Sequence, residues 1–272
     1  MDSSVTRDMT TAAMNLNRWD VPIAADIQDS SSVVYRTLQT ISTSQKLEDA
    51  QKAIRLGLLD IGSSLRRTTT LGSSISAALV SLASLAEVDQ LLSSQGPQQL
   101  KEILKNMKAR ELWMTTGRQV ICPECPTHCA NIFHRAADVA AMLTVRKAII
   151  RVLLQNQSLQ QELKFDRVKL QLAELDILIR SSSISRKLGS LEDSLADVTF
   201  LSGLADQYAA EGLKVTGAVN FEISNTLFDR GELVPSINIL RKIERTCAYD
   251  EQQLTTSRAE VVATLVSRRS RK

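Results

Sequence analysis

Apolar residues recur at steps of three and four along almost the whole of this chain, and that rhythm leaves little room for any fold but a helical one. Leu47, Ala50, Ile54, Leu58, Ile61 and Leu65 make one such stripe. Val34, Leu38 and Ile41 make another, behind a capping run of Ser30, Ser31 and Ser32. Ile75, Leu79, Leu82, Ala86 and Leu92 make a third. Pro97 stands just after Gly96 and opens a helix with Leu100, Ile103, Leu104 and Met107 inside. Between Thr115 and Thr127 the period lapses, and Gly117, Pro123 and Pro126 mark a loop. It then resumes through Val139, Met142, Leu143 and Ile149, through Phe165, Val168, Leu172, Leu175 and Leu178, and through Leu191, Leu195, Val198, Leu201 and Tyr208. Val219, Ile223 and Leu227 precede Val234, Ile237, Leu240 and Ile243, with Gly189, Gly212 and Gly231 as punctuation. Aromatics are only 4% of residues, which disfavours a large sheet.

About ten to twelve helices with short links predict an all-α fold. Their serial order favours an α-solenoid of stacked antiparallel helix pairs, tetratricopeptide- or HEAT-like with degenerate repeats. Residues 1–272 read as one helical-repeat region: a first array over 1–114, a Cys/Pro loop over 115–130 and a second array over 131–272. The first helix is expected over Thr10–Trp19 and the last over Glu251–Ser267, and neither end carries a polar cap of the kind that closes a solenoid. The chain therefore reads as an interior length of a longer array.

A net charge of +3 gives no field for nucleic acid. No secretory leader is visible at the first residues. The most apolar run, Ile75–Val88, is interrupted by Ser76, Ser81, Ser84 and Glu87, so no membrane span is expected. Four cysteines in a chain of this length fit a reducing compartment, nucleus or cytosol. There is no GxGxxG, GxxxxGK[ST], GxSxG or HExxH string, and neither HRD nor DFG occurs. With His128 and His134 as the only histidines, no catalytic or cofactor-binding residue is assigned.

One local cluster has metal chemistry. Cys122, Cys125 and Cys129 with His134 supply three thiolates and an imidazole, a donor set that Zn²⁺ accepts. The ligands crowd one loop and a helix start instead of joining two separated couples, so the plainer reading is a surface loop turned by Pro123 and Pro126. Arg268, Arg269, Arg271 and Lys272 read as a basic last helical turn. Arg66-Arg67 and Arg241-Lys242 read as solvated faces, and Trp19, Trp113, Phe200 and Phe228 as core anchors.

Three strings carry a resemblance. The helix ending in Trp19-Asp20-Val21-Pro22 is similar to the "W-D-x-P" helix of the FAT domain in phosphatidylinositol-3-kinase-related protein kinases. Ser32 to Ile41, with Tyr35 and Leu38, resembles the following "S-x-Y-x-A-L" helix of the ATM/Tel branch. Phe228, Gly231-Glu232 and Ser236 to Leu240 resemble the late FAT turn "K/R-G-E" and the helix after it. The resemblance implies a non-catalytic brace, which restrains or releases the kinase domain of a nuclear serine/threonine kinase of the DNA-damage and telomere pathway. It implies contacts with that kinase domain and with flanking repeats of the same polypeptide, and a homodimer formed through the parent kinase. It implies no cofactor and no direct contact with nucleic acid or membrane. Two other readings compete: a free-standing tetratricopeptide-like adaptor that holds peptides in a groove, and a helical module stabilised by zinc at Cys122 to His134. Ser44-Gln45 and Ser94-Gln95 are of the SQ type such kinases phosphorylate, which a serine-rich chain also contains by chance.

Overall fold

The computed structural model describes residues 3–23, 29–67, 73–116, 132–246 and 258–269. Among the described residues there are twelve α-helices and no strand. They are α1 (Ser3–Asn15), α2 (Ser30–Thr43), α3 (Leu47–Arg67), α4 (Ser73–Ser93), α5 (Gly96–Thr116), α6 (Ile132–Gln155), α7 (Gln157–Leu163), α8 (Arg167–Lys187), α9 (Leu191–Ala210), α10 (Thr216–Asp229), α11 (Leu233–Thr246) and α12 (Arg258–Arg269). The all-α fold of stacked helix pairs expected from the apolar period is the one observed. Two compact units divide the chain, residues 1–170 and 171–272.

In the first unit α1 packs on α2, α2 on α3 and α3 on α4, as consecutive hairpins do. Helix α6, which follows the Cys/Pro stretch, packs back onto α1, α2, α4 and α5. It can do so because it is buried over most of its length, with Val139, Leu143, Ala148, Ile149, Ile150 and Leu153 all in the core. In the second unit the order is serial: α9 meets α10, α10 meets α11 and α11 meets α12. Leu175, Leu178, Leu201, Ala205, Tyr208, Val215 and Val219 form one core there, and Leu240, Ile243, Val261 and Leu265 another.

Several sequence readings are revised. Helix α1 ends at Asn15, not at Trp19, because Asn17 takes a left-handed conformation (φ 54°) that an α-helix cannot continue through. Helix α12 runs from Arg258 to Arg269; residues 251–257 of the predicted Glu251–Ser267 helix lie outside the described residues. Leu79 is 54% exposed, and the buried face of α4 is instead Ala78, Leu85, Val88 and Leu92. That helix is apolar on most sides, so the period alone could not choose its inner face. Phe200 is 46% exposed rather than a core anchor, since Val198, Leu201, Ala205 and Tyr208 take the inner stripe of α9. Residues Ile75–Ser93 are, by length and composition, sufficient to cross a membrane, which the sequence reading did not grant them. Here that segment packs against α3 and α6, and Glu87 within it is buried.

Candidate functional site

Two of the three family strings fall on helix joints, and the other, Ser32 to Ile41, lies within α2. At the end of α1, Asn17 N–H donates to the Met14 carbonyl (3.2 Å) and Arg18 N–H to that of Ala13 (2.8 Å). This is a Schellman stop with its left-handed residue at Asn17. The chain that leaves it is fastened on two sides. Tyr35 Oη donates to the Arg18 carbonyl (2.9 Å) and Gln39 Nε2 to that of Trp19, so α2 holds the backbone of the Trp-Asp string. Asn17 Nδ2 donates to Gln155 Oε1 (2.8 Å) and Arg151 Nη1 to the Asn15 carbonyl (2.6 Å), so α6 holds its start. The Trp19 indole donates to Asn17 Oδ1 (2.8 Å), and its ring lies 5.5 Å from that of Tyr35.

Tyr35 and Leu38 are fully buried. Burial raises the Tyr35 pKa, a backbone hydrogen bond at Val21 opposes that, and the Asp20 charge adds to it. Arg18 and Asp20 pair in solvent at 2.9 Å. Their hydrogen bond raises the arginine pKa and lowers that of the carboxylate.

The Gly231-Glu232 string is built alike. Gly231 N–H donates to the Phe228 carbonyl and Glu232 N–H to that of Leu227, each at 2.9 Å, with Gly231 at φ 85°. Helix α11 follows and buries Ile237 and Leu240. Phe228 does not sit in the core as expected; it is half-buried, with the Arg268 guanidinium 4.3 Å from its ring centroid. Arg268 is itself no solvated basic turn. It is 6% exposed and donates to the Ser224 carbonyl and hydroxyl, the Ser236 hydroxyl and Asn225 Oδ1, tying α12 to α10 and α11.

Two further polar clusters escaped the sequence reading. In the first unit Arg146 of α6 clamps Glu87 of α4 through Nε (2.7 Å) and Nη2 (2.8 Å). It also reaches Glu111 (3.2 Å) and the Met107 carbonyl (3.1 Å) on α5. In the second unit Arg186 of α8 clamps Glu222 of α10 at 3.0 and 3.1 Å and reaches Asp229 at 2.7 Å. Burial works against the charge of Arg186, and the two carboxylates outweigh it, so its pKa is raised. Ser182, Ser194 and Thr226 complete that cluster, Ser182 donating to Glu222 Oε1 at 2.8 Å. The only advance signal was a charged residue inside an apolar stripe, such as Glu87, which looked like an interruption and is a buried partner.

All these groups hold helices to helices. Among the described residues no cluster of three or more His, Cys, Asp or Glu side chains is placed to hold a metal ion. The zinc candidates Cys122, Cys125 and Cys129 lie outside the described residues, as does the side chain of His134, whose backbone is in α6. Trp113 is likewise outside the described side chains.

The fold and its joints define an all-α stack of helix hairpins held together by buried polar ties. The sequence is homologous, over 98% of its length, to a segment of Tel1 serine/threonine-protein kinases. It is 28% identical over 268 residues to Serine/threonine-protein kinase tel1 of Aspergillus oryzae, and 26% identical over 260 residues to that of Emericella nidulans. It spans 9% of the length of each of those kinases. No family model matches it. Two solved structures share the fold: the complete CtTel1 dimer with C2 symmetry (TM-score 0.84, 22% identity, 99% of this chain and 10% of that one) and the FAT and kinase domain of CtTel1 (0.82, 22%, 97% and 17%).

Proposed function

We propose that this chain is the FAT-type helical segment of a Tel1-like checkpoint kinase, where it braces and regulates a kinase domain carried elsewhere on the same polypeptide. The observation that carries this reading is the colinear similarity to the Aspergillus oryzae kinase along 98% of the chain. The joints support it: the Trp-Asp and Gly-Glu strings are helix stops, the first tied to α2 by the buried Tyr35 and the second flanked by a buried Ser224–Ser236 bond between α10 and α11. On this reading the chain does no chemistry itself, works in the nucleus in the DNA-damage and telomere response, and contributes to a homodimer of the parent kinase.

The test uses the full-length kinase. Lysine cross-linking is expected to join this segment to the kinase domain, and Arg146→Met is expected to change the basal peptide-phosphorylation rate several-fold while leaving the KM for ATP unchanged. Absence of such cross-links together with an unchanged rate overturns the proposal.

A further inference from the structure

Helix α5 is held differently from its neighbours. Over residues 96–111 only Leu100 and Met107 are buried apolar side chains, whereas α4 buries Ala78, Leu85, Val88, Leu91 and Leu92. Apolar burial scales with area removed from water, so residues 96–111 have the smaller hydrophobic hold among the described side chains. The exposed side of α5 carries Lys101, Lys105 and Lys108, and among the described residues the helix packs chiefly on α4 and α6. Residues 96–111 are also attached by polar groups: Glu111 and the Met107 carbonyl accept from Arg146, and Arg110 donates to Glu87 (3.2 Å) and Gln90 (3.0 Å) on α4.

The charge arrangement divides into two parts. The Arg146–Glu87 clamp joins α6 to α4 and is complete without α5. The Glu111 and Arg110 arms join α5 to that clamp, and those side chains sit nearer solvent, 11% and 38% exposed against 3% for Arg146 and 1% for Glu87. If α5 leaves, Glu87 and Arg146 still neutralise each other, and Glu111 and Arg110 pass into water. Detachment therefore leaves the buried Glu87 and Arg146 charges matched, and an unmatched buried charge is the cost that otherwise locks an ion cluster shut.

We propose that α5 is an independently opening helix, latched to a permanent α4–α6 ion pair by the Glu111 and Arg110 arms. It opens on its own while the rest of the first unit stays folded, at the low end of the local stabilities that coexist in one fold. This inference is independent of the kinase reading.

Amide hydrogen exchange on the full 272-residue chain tests it. The α5 amides are expected to exchange at least about tenfold faster than those of α4 and α6. Glu111→Gln is expected to accelerate α5 by about a further tenfold, the factor matching one lost charged hydrogen bond, with α4 and α6 unchanged. Arg110→Ala, at a more exposed position, is expected to give the same pattern and serves where Glu111→Gln yields too little folded protein. Equal protection of α5 and α4 in the parent chain, or acceleration of all three helices together in the variants, overturns the proposal.

Discussion

The two units join their helices by different rules. In the second, the partners in the polar clusters lie closer in sequence: Ser182 to Ser194 spans 12 residues, Arg186 to Glu222 spans 36 and Arg268 to Ser224 spans 44. In the first, Arg146 to Glu87 spans 59, Arg151 to Asn15 spans 136 and Asn17 to Gln155 spans 138. The second unit is thus a short-range stack, in which each helix is tied to those one or two places before it. The first is closed around α6, which answers to helices from the start of the chain. Damage should spread in the closed unit and stay local in the stacked one.

The largest break of that comparison is Arg146→Met. It leaves Glu87, 1% exposed, without its bidentate partner in the core. Removing one member of a buried pair costs about 3–5 kcal/mol. Urea denaturation followed by hydrogen exchange should show α1, α2, α4 and α6 losing protection together, with α9 to α11 retained. Loss confined to α5 would contradict the closed-unit account. Leu240→Ala comes next. Leu240 is fully buried between α11 and α12, and the truncation should cost about 3 kcal/mol. Its loss of protection should centre on α10, α11 and α12 and leave the first unit unaltered.

The joints sharpen the same contrast. Both units stop a helix with a left-handed residue, Asn17 in the first and Gly231 in the second. Around Gly231 an added Cβ meets no atom within 4 Å, so Gly231→Ala isolates the backbone cost. That cost is about 1–2 kcal/mol, read as a shift in the urea midpoint. At Asn17 the side chain also bonds Trp19 and Gln155, so Asn17→Gly, though easier for the backbone, should still destabilise the first unit. A stabilising Asn17→Gly would show that the tie to α6 contributes nothing.

Much of this was legible in the residues and some was not, for identifiable reasons. Stripes such as Leu47 to Leu65 showed where α3 runs, because one face of a helix must be apolar to be buried. Gly231 and Gly189 marked stops because few other residues tolerate positive φ. The inner face of α4 was hidden, since that helix is apolar nearly all round. The stop at Asn17 was hidden because asparagine occurs elsewhere in helices. The partners of Glu87 and Arg268 were hidden most deeply, because each is matched by residues on other helices and local spacing holds no trace of the match. The strings around Trp19 and Gly231 pointed to a family before the geometry showed that they were joints.

The smallest effect is also the most specific. Tyr35→Phe removes the hydroxyl that holds the Arg18 carbonyl and should cost about 1 kcal/mol at neutral pH. Its pH dependence separates a buried phenol from an incidental one. Burial places the folded-state pKa of Tyr35 above its ordinary value, which is about 10 in an unfolded chain. Between those two values the unfolded chain gives up the phenolic proton and the folded chain retains it. The tyrosine's contribution is therefore fully present below about pH 10 and is lost as pH rises through the folded-state pKa. Phenylalanine has no such proton. The difference in urea midpoint between the parent chain and Tyr35→Phe should accordingly hold steady from pH 7 to about pH 9.5 and narrow above it, while other titrating groups cancel between the two proteins. A gap that stays constant to pH 11 would mean that the phenol titrates alike in the folded and unfolded chains, and no gap at pH 7 would mean that the Trp-Asp string is fastened to α2 by Gln39 and ring packing alone.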